Sequence, residues 1–368
     1  MSCDIIIPVF NQKQYTQNSL VSIKKNTRPG CRIIIVDDKS NDPDSVKFLS
    51  DIEDKNIKII RNGQNLGWVK SVNRGLAESS AEYVCVMNND TLVTDGWLDE
   101  MIAVAEKEPD IGLVNPVWEK PDNISIEKFA NGLRRHLGKY IETDWVRGFC
   151  FLIKREVINR IGGLDEAYSP GYYDDCDYSV RALRAGFRPV RAKASYVYHY
   201  QNATHKTALK KEGMDYLLVK HKELFYERWG RPLKIVFIFS GKTCDKKKIE
   251  DMLFSLARQQ HHIYIWAINK YIPPIEHTNV KVNLIPAFLF SLFTFLNIIN
   301  NLGRNINKRY DLIFTDDVKL INLFLFFGLT KKVKIFLEDF DNPVVNSRIK
   351  NYIEDVKNER KIDGSNIN

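Results

Sequence analysis

Apolar residues in this chain come in short unbroken runs, and polar turns separate the runs. Residues 4–9, 32–36, 57–60 and 83–87 are blocks rich in Ile and Val, each too short for a helix. Runs of that length and composition read as strands buried on both faces, as in a parallel sheet. Residues 18–25 and 71–79 read as helices between them. The rhythm predicts an open, mostly parallel sheet with helices on both faces. Further along, 97–107 reads as a helix, 112–114 as a strand, 149–153 as a buried strand and 155–161 as a helix. A less regular stretch lies before residue 143. Residues 174–185 form a predicted helix closed by Gly186, and 190–200 a strand.

At Trp229-Gly230-Arg231-Pro232 the pattern restarts. Residues 234–239, 263–268, 280–282 and 311–315 read as strands, with a helix over 248–259. The expected organisation is a first domain over 1–230, a smaller α/β domain over 231–350, and a polar tail, 351–368, that frays. Residues 284–302 and 320–329 are also strongly apolar. The second is too short to span a bilayer, which takes about 20 residues. The first is interrupted by Pro286, Ser291, Thr294, Asn297, Asn300 and Asn301. It is expected to be a buried helix, with a helix lying along a membrane face as the alternative.

Composition adds two constraints. The 368 residues carry a formal charge of +8, unevenly placed. Residues 1–230 hold 33 basic and 32 acidic side chains, and residues 231–368 hold 21 and 14, a surplus of +7. Such a surplus suits an acidic carrier or an anionic membrane surface, or is a solvated lysine-rich face. No aromatic-interleaved basic patch is present, so nucleic acid is not an expected partner. Six cysteines, Cys3, Cys31, Cys85, Cys150, Cys176 and Cys244, form no C-x-x-C pair and read as reduced thiols. The first strand begins at Asp4 and leaves no room for a signal peptide, so a cytoplasmic location is expected, with the cytoplasmic membrane face as an option.

Polar groups sit where the strands end: Asn11, Asp37-Asp38 and Asn88-Asn89-Asp90. In open α/β sheets, ligands bind beyond those ends. A second concentration of charge follows the loop 169–172, where Asp174, Asp175 and Asp177 open a helix. A helix N-cap accounts for one Asp. Three mutually repelling carboxylates ask for a use.

The ordered series Ile5-Ile6-Ile7-Pro8-Val9-Phe10-Asn11, Ile35-Val36-Asp37-Asp38-Lys39-Ser40, Asn65-Leu66-Gly67, Met87-Asn88-Asn89-Asp90-Thr91, Gly162-Gly163-Leu164-Asp165-Glu166 and Tyr173-Asp174-Asp175 resembles the family 2 glycosyltransferases. The resemblance covers about residues 1–228. It implies the GT-A fold, a Rossmann-like mixed sheet of the α/β class, and a nucleotide-diphosphate sugar as donor. It implies that Asp90 ligates a divalent cation, Mn²⁺ or Mg²⁺, although Asn88 stands where the usual motif has its first carboxylate. His199 is the implied second ligand. Asn88, Asn89 and Asn65 are implied on the sugar and ribose, Asp38 on the nucleobase, and the turn Pro8, Val9, Asn11 around the base. Asp175 is the implied catalytic base, with Asp174 orienting the acceptor hydroxyl. Trp145 and Phe149 stand on the acceptor side. Asp177 is expected to cap the helix or brace Arg181.

The expectation is therefore inverting transfer of a sugar from a UDP- or dTDP-sugar to a glycan or lipid-linked glycan, in surface polysaccharide synthesis. A nucleotidyltransferase is a weaker match, because Asn11-Gln12-Lys13-Gln14 is not a triphosphate loop. A catalytically weak sugar-nucleotide or carrier-binding subunit is the second alternative. The C-terminal part loosely resembles the first half of a GT-B transferase and is expected to serve docking or acceptor binding, with the basic surplus leaving peripheral membrane contact open.

Overall fold

The computed structural model describes residues 1–119, 123–201, 211–240, 245–268, 275–303, 309–329, 334–337 and 345–364. Internal contacts divide the chain into two units, Met1–Trp229 and Gly230–Asn368.

The first unit begins with alternating strands and helices: β1 (Cys3–Val9), α1 (Lys13–Asn26), β2 (Arg32–Asp37), α2 (Pro43–Ser50), β3 (Ile57–Arg61), α3 (Trp68–Ala77) and β4 (Tyr83–Met87). It continues through β5 (Thr91–Val93), α4 (Trp97–Ala105), β6 (Ile111–Val117), α5 (Ile126–Leu133), β7 (Tyr140–Glu142) and β8 (Cys150–Lys154). It closes with α6 (Arg155–Ile161), α7 (Asp174–Arg184), β9 (Arg188–His199) and α8 (Lys211–Trp229). The sheet has nine strands in the order β3-β2-β1-β4-β8-β6-β9-β5, with β7 on β9. Strands β1 to β4 are mutually parallel, β8 runs antiparallel between β4 and β6, and β9 is parallel to β6. This is a mixed α/β sheet dominated by parallel pairing.

Period-two alternation along β1 feeds two cores. Ile5 and Ile7 face α1 and α4 with Leu20, Ile23 and Met101, while Ile6 faces α3 with Val72 and Leu76. The strand order reverses between β1 and β4, so the loops leaving those two strands bound the crevice where such sheets take ligands. That places the Asn11 and Asn88–Asp90 turns on either side of one cleft.

Pro8 and Val9, read from the apolar run as the end of the first strand and from the resemblance as part of a base-wrapping turn, lie inside β1. Both are buried, and Val9 belongs to the core. Helix α2 has no apolar periodicity to announce it. It forms because Asp42 caps it, accepting from Ser45 N at 3.0 Å, with Pro43 in the first turn.

The second unit contains β10 (Lys234–Phe239), α9 (Lys246–Arg258), β11 (His262–Ile268), β12 (Val280–Ile285), α10 (Phe290–Leu302), β13 (Leu312–Thr315), α11 (Val318–Phe326), β14 (Lys334–Leu337) and α12 (Val345–Gly364). Its five strands are all parallel in the order β12-β11-β10-β13-β14. The expected frayed tail is instead helical as far as Gly364. Ile349, Ile353 and Val356 fall on one stripe of α12 and pack into this unit's core. The apolar stretch 284–302 is buried along one side only, through Phe290, Thr294, Ile298 and Asn301. Among the described residues, no helix is long and apolar enough to cross a membrane. Cys3, Cys31, Cys85, Cys150 and Cys176 are free thiols, and Cys244 lies outside the described residues.

Candidate active site

The short strand β5 decides the geometry at the end of β4. It pairs antiparallel with β9 so that Thr91 stands opposite His199. Asp90, one residue earlier, is thereby held beside the imidazole. Asp90 Oδ1 and His199 Nε2 are 3.1 Å apart, and Asn88 Nδ2 lies 3.4 Å from the same nitrogen. Phe149 stacks on the His199 ring with centroids 4.9 Å apart and planes 16° off parallel. Two ligands on adjacent vertices of an octahedral ion, each at roughly 2.1 Å, stand about 3 Å apart. The Asp90–His199 separation therefore matches that of two ligands on one hard divalent cation. Among the described residues no group of three or more His, Cys, Asp or Glu side chains could hold a metal by itself.

A tryptophan ties this pair to the far side of the cleft. Trp68 opens α3, and its Nε1 donates to Asn88 Oδ1 at 3.0 Å. Its backbone N–H donates to Pro170 O at 3.1 Å, in the loop that leads to α7. Gly67 makes that approach feasible. Its φ is +83°, and a Cβ there would lie 2.7 Å from Pro170 Cβ and 2.9 Å from Pro170 Cα. Asp38 fixes the same loop from the other side, accepting from Leu66 N at 2.7 Å, Gly67 N at 2.8 Å and Asn62 Nδ2 at 2.7 Å. A carboxylate has about four acceptor sites, so three are taken within the chain. Asp38 is first a clamp on the 65–67 loop, and the nucleobase contact expected of it has one acceptor position left.

Helix α7 carries the acidic cluster. Tyr172 and Tyr173, just before it, both have left-handed backbone, with φ of 74° and 65°. This turn buries Asp174, which is 4% exposed, and leaves Asp175 less covered. Asp175 Oδ2 accepts from Gly148 N at 2.8 Å and Oδ1 from Cys176 N at 2.9 Å. A Cβ on Gly148 would sit 3.4 Å from Asp175 Oδ2 and 3.5 Å from the Trp68 ring, so Trp68 and Asp175 converge on this glycine. Burial raises the Asp175 pKa above the ordinary carboxylate value, against the lowering pull of Gly148 N–H, the Arg147 charge and Cys176 N–H. Burial pushes Asp174 up much further, with the Asp175 charge adding to it. Asp177 is fully buried and structural. It pairs with Arg181 Nε at 2.8 Å and accepts from Trp229 Nε1 at 2.9 Å.

A raised carboxyl pKa destabilises the fold once the unfolded form ionises. The penalty is absent below the ordinary value of about 4 and complete above the raised folded value. Asp174→Asn is therefore expected to raise the melting temperature at neutral pH by roughly 2–4 °C, the shift that about 1 kcal/mol makes in a domain of this size. The gain should shrink as pH falls toward 4. A variant that melts lower at neutral pH would show that the carboxyl contributes more through its contacts than it costs.

Other expected site residues serve the scaffold. Asn11, at φ 56°, accepts with Oδ1 from Asn41 N and Asp42 N, both at 2.9 Å, and donates through Nδ2 to Asn41. Its amide is thus spent on stitching two turns together. Asn89 is buried and donates to Thr16 Oγ1 at 2.9 Å, facing α1. Val9 O accepts from Asp38 N at 2.8 Å. Asn65 is exposed on the loop that Asp38 clamps. Trp145 packs beside Tyr168, Cys176 and Phe225, with the Arg147 guanidinium 4.7 Å from its ring centroid. Phe149, expected on the acceptor side, is buried against His199 instead. Trp68 and Arg147 are the two site residues that sequence reasoning does not find. The one available signal for Trp68 is a tryptophan directly after Asn65-Leu66-Gly67, at a helix start.

A cleft at the strand-order reversal, lined by an Asp–His pair and faced by an acidic helix start, gives this α/β unit a candidate ligand crevice with a candidate cation site. Residues 4–162 match the model of glycosyl transferase family 2. The chain is 26% identical over 223 residues to an uncharacterized protein of Sinorhizobium fredii, covering 54% of this chain and 24% of that one. It is 22% identical over 259 residues to N-acetylglucosaminyl-diphospho-decaprenol L-rhamnosyltransferase of Mycobacterium tuberculosis, covering 60% of this chain and 82% of that one. Among solved structures, a mannosyltransferase from Pyrobaculum calidifontis, in complex with GDP-Man and Mn²⁺, aligns at 20% identity with a TM-score of 0.45, over 55% of this chain and 57% of that one. The chain spans about a quarter of the length of the Sinorhizobium relative and just over half of the Pyrobaculum chain.

Proposed function

We propose that the N-terminal unit is an inverting glycosyltransferase. It takes a sugar from a UDP- or dTDP-sugar and passes it to a hydroxyl of a glycan or lipid-linked glycan, in surface polysaccharide synthesis. One observation carries the reading: the Asp90–His199 pair and the Asp175 carboxylate are joined through Asn88, Trp68 and Gly148 across a single cleft. In the proposed step the acceptor oxygen bonds to the anomeric carbon while Asp175 takes its proton. The bond from that carbon to the diphosphate oxygen breaks, and the nucleoside diphosphate leaves with the electron pair. Asp174, the more deeply buried partner, holds its proton longer, so the charge of the pair rests on Asp175. Arg147 and Gly148 N–H stabilise that charge. The name of the Mycobacterium relative supports a lipid-linked glycan as the acceptor class.

Asp90 and His199 would hold Mn²⁺ or Mg²⁺, with the remaining positions open to donor oxygens and water. Bound there, the cation supplies neutralisation of the diphosphate leaving group. Metal binding is testable without turnover. Mn²⁺ is expected to raise the melting temperature of the parent protein, by mass action on the folded state. Asp90→Ala should shift the half-saturating Mn²⁺ concentration upward by more than roughly 100-fold, beyond what loss of an outer-shell partner does. Equal Mn²⁺ stabilisation of parent and variant would remove Asp90 from the cation site. A screen of nucleotide sugars by the same readout identifies the donor. A donor that stabilises the protein yet is neither transferred nor hydrolysed would favour a binding subunit over an enzyme.

A further inference from the structure

Among the described residues, the second unit leaves an apolar face open. Twelve of the nineteen exposed large apolar side chains among the described residues lie between Val282 and Phe327. Helix α10 carries four of them and the turn before it two more, Phe288 and Leu289. One stripe, Phe290, Thr294, Ile298 and Asn301, is buried on the sheet. A second stripe, Leu289, Leu292, Phe293, Leu296 and Ile299, follows the same helical spacing and is 40–59% exposed. Apolar stripes on two sides of one helix are normally both covered. Helix α11 packs beside α10 through Phe295, whose ring lies 5.9 Å from Phe324 and 5.2 Å from Phe327. It extends the open face with Leu325, 57% exposed, and Phe326, 83% exposed. Phe288, just before α10, is 86% exposed.

The open apolar area is on the order of 1,000 Å² when each side chain is taken at roughly 150–200 Å² in full. The largest apolar patch of an ordinary monomer reaches about 300–600 Å². Basic residues outnumber acidic ones along this part of the chain. Residues 282–303 contain no charged side chain, while the stretch 281–334 holds eight basic residues and three acidic ones. Two of the basic residues, Lys281 and Lys319, are described and exposed.

We propose that this face of α10 and α11 docks on an anionic lipid bilayer. The apolar stripe and the two protruding phenylalanines would enter the headgroup boundary, and the basic residues would meet the anionic headgroups. A stripe of this kind lies in the membrane plane and does not cross it, which agrees with the absence of any spanning helix among the described residues. A second copy of the chain would bury the apolar area equally well. It gives no reason for the basic surplus, with Lys281 and Lys319 exposed, because two copies would bring like charges together. The inference does not depend on the donor or the acceptor.

The test is flotation of the full chain with vesicles of phosphatidylcholine alone or with added phosphatidylglycerol. Binding is expected to the anionic vesicles, to weaken as salt is raised, and to fall by roughly tenfold or more for each of Phe288→Ser and Phe326→Ser. Both rings are almost fully exposed, so the variants should fold, which circular dichroism verifies. Failure to float with anionic vesicles overturns the proposal. So does undiminished binding by the double variant. A dimer seen by light scattering that the double variant dissociates, without vesicle binding by the parent, would assign the face to a second copy and likewise overturn it.

Discussion

Asp175→Asn is expected to lower the rate of sugar transfer by roughly 10²–10⁴-fold, the range contributed by a positioned general base. Donor binding, read as thermal stabilisation by nucleotide sugar with Mn²⁺, should persist, because Asp175 lies on the Gly148 side of the cleft and not beside Asp90 and His199. Asn keeps an oxygen for Gly148 N–H and gives up the acceptor for Cys176 N–H together with the ability to take the proton. The pH profile gives an independent handle. The base acts as the carboxylate, so activity rises with pH through the Asp175 pKa, which burial places above the ordinary value of about 4. Arg147 pulls that pKa down. Arg147→Met should therefore move the acid limb to higher pH. An unmoved limb would assign the titration to another group.

Gly67→Ala is expected to destabilise the N-terminal unit by about 2–5 kcal/mol, combining the cost of left-handed backbone with that of overpacking. The new methyl would strike Pro170 at its Cβ and at its backbone. The same movement would pull Trp68 from Asn88 and disturb the route from the cation site to Asp175, so transfer should fall beyond what stability explains. Gly30→Ala is the control. Gly30 has φ +97° with nothing within 4 Å of a Cβ, so it carries the backbone term alone. Equal losses at the two positions would mean that the contact with Pro170 adds nothing.

Much of the first unit was legible because its central strands state their burial locally. Ile5, Ile6 and Ile7 form a run that only a two-sided interior accepts, and 32–36 and 83–87 repeat it. The position of the acidic helix was legible for a similar reason, since Asp174, Asp175 and Asp177 follow a Gly/Pro loop. The elements that escaped are those with little apolar pattern of their own. β5 has three residues and exists because β9 pairs with it more than a hundred positions later. α2 rests on an Asp42 cap, and its only buried residues are Ser45 and Leu49. The motif residues themselves split. Asn88, Asp90, His199 and Asp175 gather around the cleft, whereas Asn11 and Asn89 spend their amides on neighbouring turns and Val9 lies in the core. A family motif records what the loops need in order to fold as well as what the ligand needs. One sequence gives no means of separating the two.

Tyr172, Tyr173 and Asp174 are three consecutive residues each held in its less favourable state, two by left-handed backbone and one by a buried acid. Selection for heat resistance alone would relax them first, with glycine at the tyrosines and an uncharged side chain at Asp174. Selection for activity would hold all three in place. Robustness and chemistry therefore pull in opposite directions within one turn of backbone, and a library propagated under heat without any demand for turnover would lose its function there before anywhere else in the unit.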